Sequence, residues 1–257
     1  MTDGADEPRP PIPGDDRDEF ERDKRAQATA MAADEELNRR ALDLVIESDR
    51  YGYSYQWTWL GLPIIQMPPD IVAMQEVIWA TKPQVVIEAG VARGGSVILS
   101  SSLLELIGEG EVVAVDIDIR PHNRRAIEEH PLAGRVHLIE GSSVDPEIVA
   151  QVTRRAAGAE RVMVVLDSNH THEHVLAELE AYAGLVTPGQ YLVVADTVVE
   201  DIPVQEHRPR PWGPGDNPKT ALDAFLVSHP EFELDEHLNA KLLMTSSPGG
   251  YLRRRES

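Results

Sequence analysis

Cysteine is absent from all 257 residues. Disulfides, thiolate-held zinc, iron–sulfur clusters and a cysteine nucleophile are thereby excluded. Basic residues are scarce: 24 Lys and Arg stand against 44 Asp and Glu, a formal net charge of −20. A body this acidic repels polyanions, so nucleic acid and anionic membrane surfaces are set aside as partners. A small anionic ligand is still allowed, because backbone donors and local charge decide its fate. No apolar run approaches the ~20 residues of a membrane span. The opening residues Met1-Thr2-Asp3-Gly4 have neither a basic nor an apolar region, so no secretory signal is expected and the expected location is cytoplasmic. Aromatics make up only 5% of the chain, yet Tyr51, Tyr53, Tyr55, Trp57 and Trp59 fall within nine residues.

What is present has a clear order. Pro8, Pro10, Pro11 and Pro13 stand among acids in residues 1–15, a stretch with nothing to bury and expected to be a mobile tail. Residues 16–70 read as helix from Asp16 to Asp49, then the aromatic cluster, which serves as a packing strap, a lid over a ligand, or both. Residues 71–257 read as one ligand-binding domain. A helix over Ile71 to Thr81 leads into short apolar runs at Val85 to Ile87, Val112 to Val115, Val136 to Ile139, Val162 to Leu166 and Tyr191 to Ala195. Helical stretches separate them: Ser96 to Ile107, Pro121 to His130, Asp145 to Ala157 and His172 to Leu185. This alternation predicts an α/β fold with a doubly wound, mostly parallel sheet covered on both faces. After a helix over Lys219 to Ser228, the runs Phe232 to His237 and Lys241 to Thr245 are expected to join at Asn239-Ala240. With Tyr251 to Arg253 they predict an antiparallel hairpin that completes a seven-stranded sheet.

Ligands of such sheets bind beyond the carboxyl ends of the strands. The expected strands end at Glu88 and Gly90, at Asp116 and Asp118, at Gly141-Ser142-Ser143, at Asp167 and at Asp196. Any one of these side chains could serve only as a helix cap; four carboxylates in a row call for more. The loop Glu88-Ala89-Gly90-Val91-Ala92-Arg93-Gly94-Gly95-Ser96 opens a helix, as a nucleotide loop must. Its spacing is G-x-x-x-G-G. That is neither the G-x-G-x-x-G of dinucleotide enzymes nor a Walker loop with its lysine, so a nicotinamide oxidoreductase is disfavoured. Asp116 stands where a carboxylate accepts ribose hydroxyls. A ribose without a pyrophosphate clamp points to an adenosine with a small charged appendage, and S-adenosylmethionine fits. Glu88, Gly90, Gly94, Gly95, Ser96, Asp116, Asp118, Ser142, Ser143 and Asp167 are the expected contacts, with Ser142 and Ser143 at the adenine edge.

The ordered set Glu88-x-Gly90-Val91-x-x-Gly94-Gly95-Ser96, Val115-Asp116-x-Asp118, Gly141-Ser142, Leu166-Asp167-Ser168-Asn169-His170 and Val193-Val194-Ala195-Asp196 resembles the rhamnosyl O-methyltransferase / cephalosporin hydroxylase family. The resemblance runs from about Tyr51 to Arg254. More distantly, the set is similar to metal-dependent macrolide-sugar O-methyltransferases. The resemblance implies a class I, Rossmann-like methyltransferase fold over residues 71–257, S-adenosylmethionine as donor, and a divalent cation such as Mg²⁺ at the ends of the fourth and fifth strands. Asp167 and Asp196 match metal-ligand positions. The chain departs from the pattern at Ala195, where relatives often carry a second acid. Asn169 is then the first candidate for a third ligand, with Glu200 or Asp201 behind it. His170 aligns with a family histidine and, with Asp167, is a candidate catalytic base. His170-Thr171-His172-Glu173-His174 resembles the start of an H-x-H-x-D-H zinc motif, but His174 and Val175 stand where Asp and His belong.

The stretch from Glu206 to Lys219 is basic within an acidic chain and rich in Pro and Gly, as functional loops often are. Trp212 could stack on a sugar, while Arg208, Arg210 or Lys219 could meet a phosphate. Tyr55 and Trp57 complete the expected substrate contacts. The reading is a metal-assisted, S-adenosylmethionine-dependent O-methyltransferase for a rhamnose-type deoxysugar, nucleotide-linked or glycosidic, in natural-product (antibiotic) biosynthesis. A cephalosporin core or phenol as acceptor, or a non-catalytic partner protein of this fold, are the alternatives. A homo-oligomer packed through the N-terminal helix and aromatic segment is expected.

Overall fold

The computed structural model describes residues 14–205 and 209–256. Most of the expected tail lies outside the described residues. Helices α1 (Arg17–Ala32) and α2 (Glu35–Asp49) come first. Asp34 starts α2 by accepting from the Leu37 amide at 2.9 Å, an N-cap of the usual kind. A short turn over Tyr53–Tyr55 leads to the ribbon β1 (Trp57–Trp59) and β2 (Leu62–Ile64), which pair antiparallel. This ribbon packs on the body through Trp59, whose indole N–H donates to Ser102 Oγ at 3.0 Å.

Helix α3 (Pro68–Thr81) then enters the alternating region. Its elements are β3 (Val85–Ala89), α4 (Gly95–Ile107), β4 (Glu111–Asp116), α5 (Pro121–Glu128), β5 (Val136–Glu140), α6 (Pro146–Ala156), β6 (Val162–Leu166), α7 (His172–Tyr182) and β7 (Tyr191–Val194). Pro68, Pro121 and Pro146 sit in the first helical turn, where a missing N–H costs nothing. The five strands β3 to β7 pair in parallel. β3 and β6 are buried at every position, and their side chains divide between two cores. Val86, with Ile98 and Ile78, packs on one face; Ile87, with Leu179 and Phe225, packs on the other. A sheet buried on both faces needs such continuous apolar strands.

After α8 (Pro218–Leu226) the chain departs from expectation. The strand β8 (Phe232–Leu234) is short, and no turn forms at Asn239-Ala240. Asp235 accepts from the Leu238 amide and caps a small helix, α9 (Glu236–Ala240). Residues 241–250 are irregular rather than a strand, and β9 (Tyr251–Arg254) returns between β7 and β8, antiparallel to both. The closing antiparallel pair is present, but a helix connects it. The seven strands run β5-β4-β3-β6-β7-β9-β8. Strand order reverses between β3 and β6, so the cleft beyond their carboxyl ends is the switch point where ligands bind.

Candidate functional site

The loop after β3 is held from three sides. Gly90 adopts φ +104°, and a Cβ there would lie 1.9 Å from the Asp167 carbonyl oxygen. Only glycine allows this approach, so the loops after β3 and β6 meet backbone to backbone. At Gly95 a Cβ would lie 2.3 Å from the Pro63 carbonyl oxygen, and at Gly94 it would meet Ile127. Asp116, at the end of β4, accepts from the amides of Val91 (2.8 Å) and Ala92 (3.1 Å) through Oδ2. Its Oδ1 accepts from the Asp118 amide at 3.1 Å. The carboxylate expected at a ribose is thus also the tie between the glycine loop and β4. Asp118 is exposed beside it. Asn123 closes the third side, donating to the Ala92 carbonyl at 2.8 Å.

Glu88 is buried on β3, and Ser96 Oγ donates to it. Burial lifts its carboxyl to about 7, against the opposing pull of the Ser96 hydrogen bond. Asp167 opens on the cleft yet is ringed by protein. Burial first, then Asp196, Glu88, Glu178 and Asp70, push its pKa well above the usual carboxylate range. Asp70, on α3, is raised to about 6 by burial, with opposing hydrogen bonds from Thr245 and Ser246. Among the described residues no Lys or Arg forms an ion pair with Glu88, Asp70 or Asp167. A buried set of carboxylates without a cation is the arrangement that protein folding alone disfavours.

Asp167, His170 and Asp196 come together, with one ligand-capable atom from each lying within 4.8 Å of the others. His170 Nε2 is 3.3 Å from Asp196 Oδ2, and the imidazole stands edge-on to Trp212 with centroids 4.7 Å apart. Asp196 holds a left-handed backbone, φ +55°, uncommon for a non-glycine residue. That turn directs β7 into the short helix Thr197–Asp201. Asn169 is exposed, and its Oδ1 accepts from both the amide and the hydroxyl of Thr171, at 2.9 Å each. Among the described histidines and acids, His170 is the group that stands with the two aspartates. Glu200 is engaged elsewhere: it accepts from the Gly215 amide at 2.8 Å and Asn217 Nδ2 at 2.5 Å, and these bonds hold its carboxyl below the usual range. Asp201 is exposed.

A cavity of about 410 Å³ opens in front of these groups, lined by Asp167, His170, Asp196, Tyr55, Arg210 and Trp212, among others. The Arg210 guanidinium lies 5.3 Å from the Trp212 ring centroid. Trp57 does not line the cavity; it stands edge-on to Tyr53, which does. Lys219 does not line it either, and its ammonium pairs with Asp223 four residues on. Arg208 lies outside the described residues. Asp70, Ser246 and Gln66 escape a reading of strand ends because they stand on a helix and in irregular segments. Ser246 and Gln66 nonetheless line the cavity.

Comparison with known proteins matches this architecture. The family model described as Rhamnosyl O-methyltransferase/CmcI covers residues 51–255. The rhamnosyl O-methyltransferase of Mycobacterium tuberculosis is 32% identical over 200 residues, 77% of this chain and 78% of the relative. That of Mycobacterium leprae is 31% identical over 201 residues, 77% and 83% of the two chains. Among solved structures, an apo form of CmcI superposes with a TM-score of 0.55 at 18% identity, covering 79% of this chain and 78% of the other. CmcI with Mg and SAM gives 0.54 at 16% identity over the same shares, 79% and 78%. The sheet is that of class I S-adenosylmethionine-dependent methyltransferases, and the chain belongs to the rhamnosyl O-methyltransferase/CmcI family.

Proposed function

We propose that the protein transfers a methyl group from S-adenosylmethionine to a hydroxyl of a rhamnose-type sugar in natural-product biosynthesis, aided by a divalent cation. The observation that carries this reading is the buried acid set at the switch point, with Glu88 and Asp167 raised in pKa and, among the described residues, without an ion pair to Lys or Arg. The donor's ammonium group beside Glu88 and a divalent ion among Asp167, His170 and Asp196 would each supply the missing positive charge. The donor set suits such an ion: two carboxylates and one imidazole leave positions for water and for sugar oxygens. When bound, the ion supplies Lewis acidity that makes a sugar hydroxyl easier to deprotonate.

The chain's own residues do the rest. The glycine loop and Asp116 fix the donor's nucleoside end, which sets the direction in which its methyl group points. Tyr55 and Trp212 wall the acceptor side, so the sugar oxygen can be aligned with that methyl and water kept out. The transfer breaks the sulfur–methyl bond, forms an oxygen–methyl bond and releases one proton. Asp167 or His170 receives that proton; the raised pKa of Asp167 suits it to the task. The arginines of the 205–217 loop are the elements that would favour a phosphate-bearing acceptor, since Lys219 is committed to Asp223.

The test is turnover with S-adenosylmethionine and rhamnosyl glycosides or nucleotide-linked rhamnose. EDTA is expected to remove activity and Mg²⁺ to restore it. Asp167→Asn is expected to cut kcat by about 100-fold or more while the protein stays folded. An Asp167→Asn enzyme of normal activity would overturn the site, and a chain that binds no S-adenosylhomocysteine would overturn the activity.

A further inference from the structure

Helix α7 carries three polar side chains that the mechanism above does not use. His174, Glu178 and Tyr182 recur every four residues, so they share one helix face. Glu178 and Tyr182 are both 0% exposed. The stripe reaches two loops at once. Tyr182 OH donates to the Ser143 carbonyl at 2.6 Å, fixing the loop after β5. His174 Nε2 lies 3.1 Å from Ser143 Oγ and 3.3 Å from Ser168 Oγ, which follows Asp167. Ser168 Oγ in turn donates to Glu178 Oε1 at 2.6 Å, and the imidazole is 3.4 Å from the same carboxylate. Among the described residues the second oxygen of Glu178 has no hydrogen-bond partner. Burying a carboxylate this way costs stability, so packing does not explain it.

The proton count gives the stripe a direction. A hydroxyl has one proton, and that of Ser168 goes to Glu178. Ser168 therefore has no proton to give His174, and the Glu178 carboxylate oxygen 3.4 Å from Nε2 favours the tautomer with a hydrogen on that nitrogen. Ser143 Oγ is the nearest acceptor, at 3.1 Å, and a protonated Nε2 has no lone pair, so Ser143 accepts from the helix and keeps its own proton for another partner. We propose that Glu178 and His174 are positioning residues that orient Ser143 as a hydrogen-bond donor to an acceptor nitrogen on the nucleobase edge of the methyl donor. Glu178 fixes Ser168, Ser168 fixes the imidazole, and the imidazole fixes the serine. The inference rests on the S-adenosylmethionine reading, since it needs the base at the loop after β5.

The test is calorimetric titration of S-adenosylhomocysteine into full-length protein, well below the unfolding temperature of each variant. Ser143→Ala and His174→Ala are each expected to weaken binding about tenfold. The double variant is expected to be no weaker than either single, because the two act through one bond. His174→Gln, whose amide nitrogen reaches the position of Nε2 and still donates, is expected to recover most of the affinity. A merely structural role would give losses that multiply, near 100-fold in the double variant, with no recovery by Gln. Either that pattern or a His174→Ala protein within twofold of wild type would overturn the proposal. Wild-type protein that binds no S-adenosylhomocysteine would overturn the donor reading itself, and the inference with it.

Discussion

Glu88 shows how a single side chain links stability to ligand binding. Its carboxyl sits near 4.5 when unfolded and at about 7 when folded, because burial penalises the charge. Between those values the folded chain holds a proton that the unfolded chain has lost. Its contribution is therefore fully present below pH 4.5 and is lost as pH rises through 7, a change of about 3 kcal/mol. Asp70 acts in the same sense between 3.8 and about 6. Glu88→Gln keeps the shape and the Ser96 contact but removes the titration. It is expected to flatten the stability profile, to be more stable than wild type at pH 8, and to bind S-adenosylhomocysteine less tightly. Urea unfolding at pH 5 and pH 8, paired with calorimetry, checks both halves. A Gln variant that is less stable at pH 8 would show that the charge is satisfied within the protein, contrary to the reading here.

Elements were legible where a local signal stood alone. Asp145 precedes α6 and caps it, and Pro121 and Pro146 marked the first turns of α5 and α6, whereas the single helix expected from Asp16 to Asp49 breaks at Asp34, which caps α2. The C-terminal connection was not legible, because Asn239-Ala240 looks like a turn until Asp235 is seen capping α9. Nor does local pattern reveal that β9 pairs with β7, a long-range choice. Lys219 shows a signal that was present and outweighed: Asp223 lies four residues on, the spacing of a helical ion pair. At the same scale, Gly95 joins the β1–β2 ribbon to α4. A methyl group there meets the backbone of Pro63 and Ile64 at 2.3 and 2.6 Å, and neither is free to rotate away. Gly95→Ala is expected to cost several kcal/mol, roughly 3 or more, and to loosen the ribbon first. Hydrogen exchange over residues 57–66, set beside the melting curve, reads this. Protection unchanged at that ribbon would mean the contact is looser than its geometry indicates.

For the whole molecule the deciding quantity is charge. The chain carries −20 overall and gathers Glu88, Asp167, Asp196, Asp70 and Glu178 toward one end of the sheet. Strand ends made Asp167 and Asp196 visible in the sequence. Asp70 and Glu178 were hidden because an acid inside a helix looks like solvent-facing charge until the neighbours above it are known. A fold that buries such a set is stabilised by whatever cation completes it, with a gain set by concentration over dissociation constant. Mg²⁺ with S-adenosylhomocysteine, each at about 100 times its dissociation constant, is expected to add about 3 kcal/mol or more, roughly 5–10 °C in Tm for a chain of this size. The gain is expected to be larger at pH 8 than at pH 5, because at pH 5 a proton already occupies Glu88 and must be displaced. NaCl at matched ionic strength relieves general repulsion but lacks the divalent site, so it is expected to give a smaller shift that Asp167→Asn leaves intact. Equal gains at pH 5 and pH 8, or a Mg²⁺ shift that survives Asp167→Asn, would place the cation outside the cleft and leave the buried acids without a role.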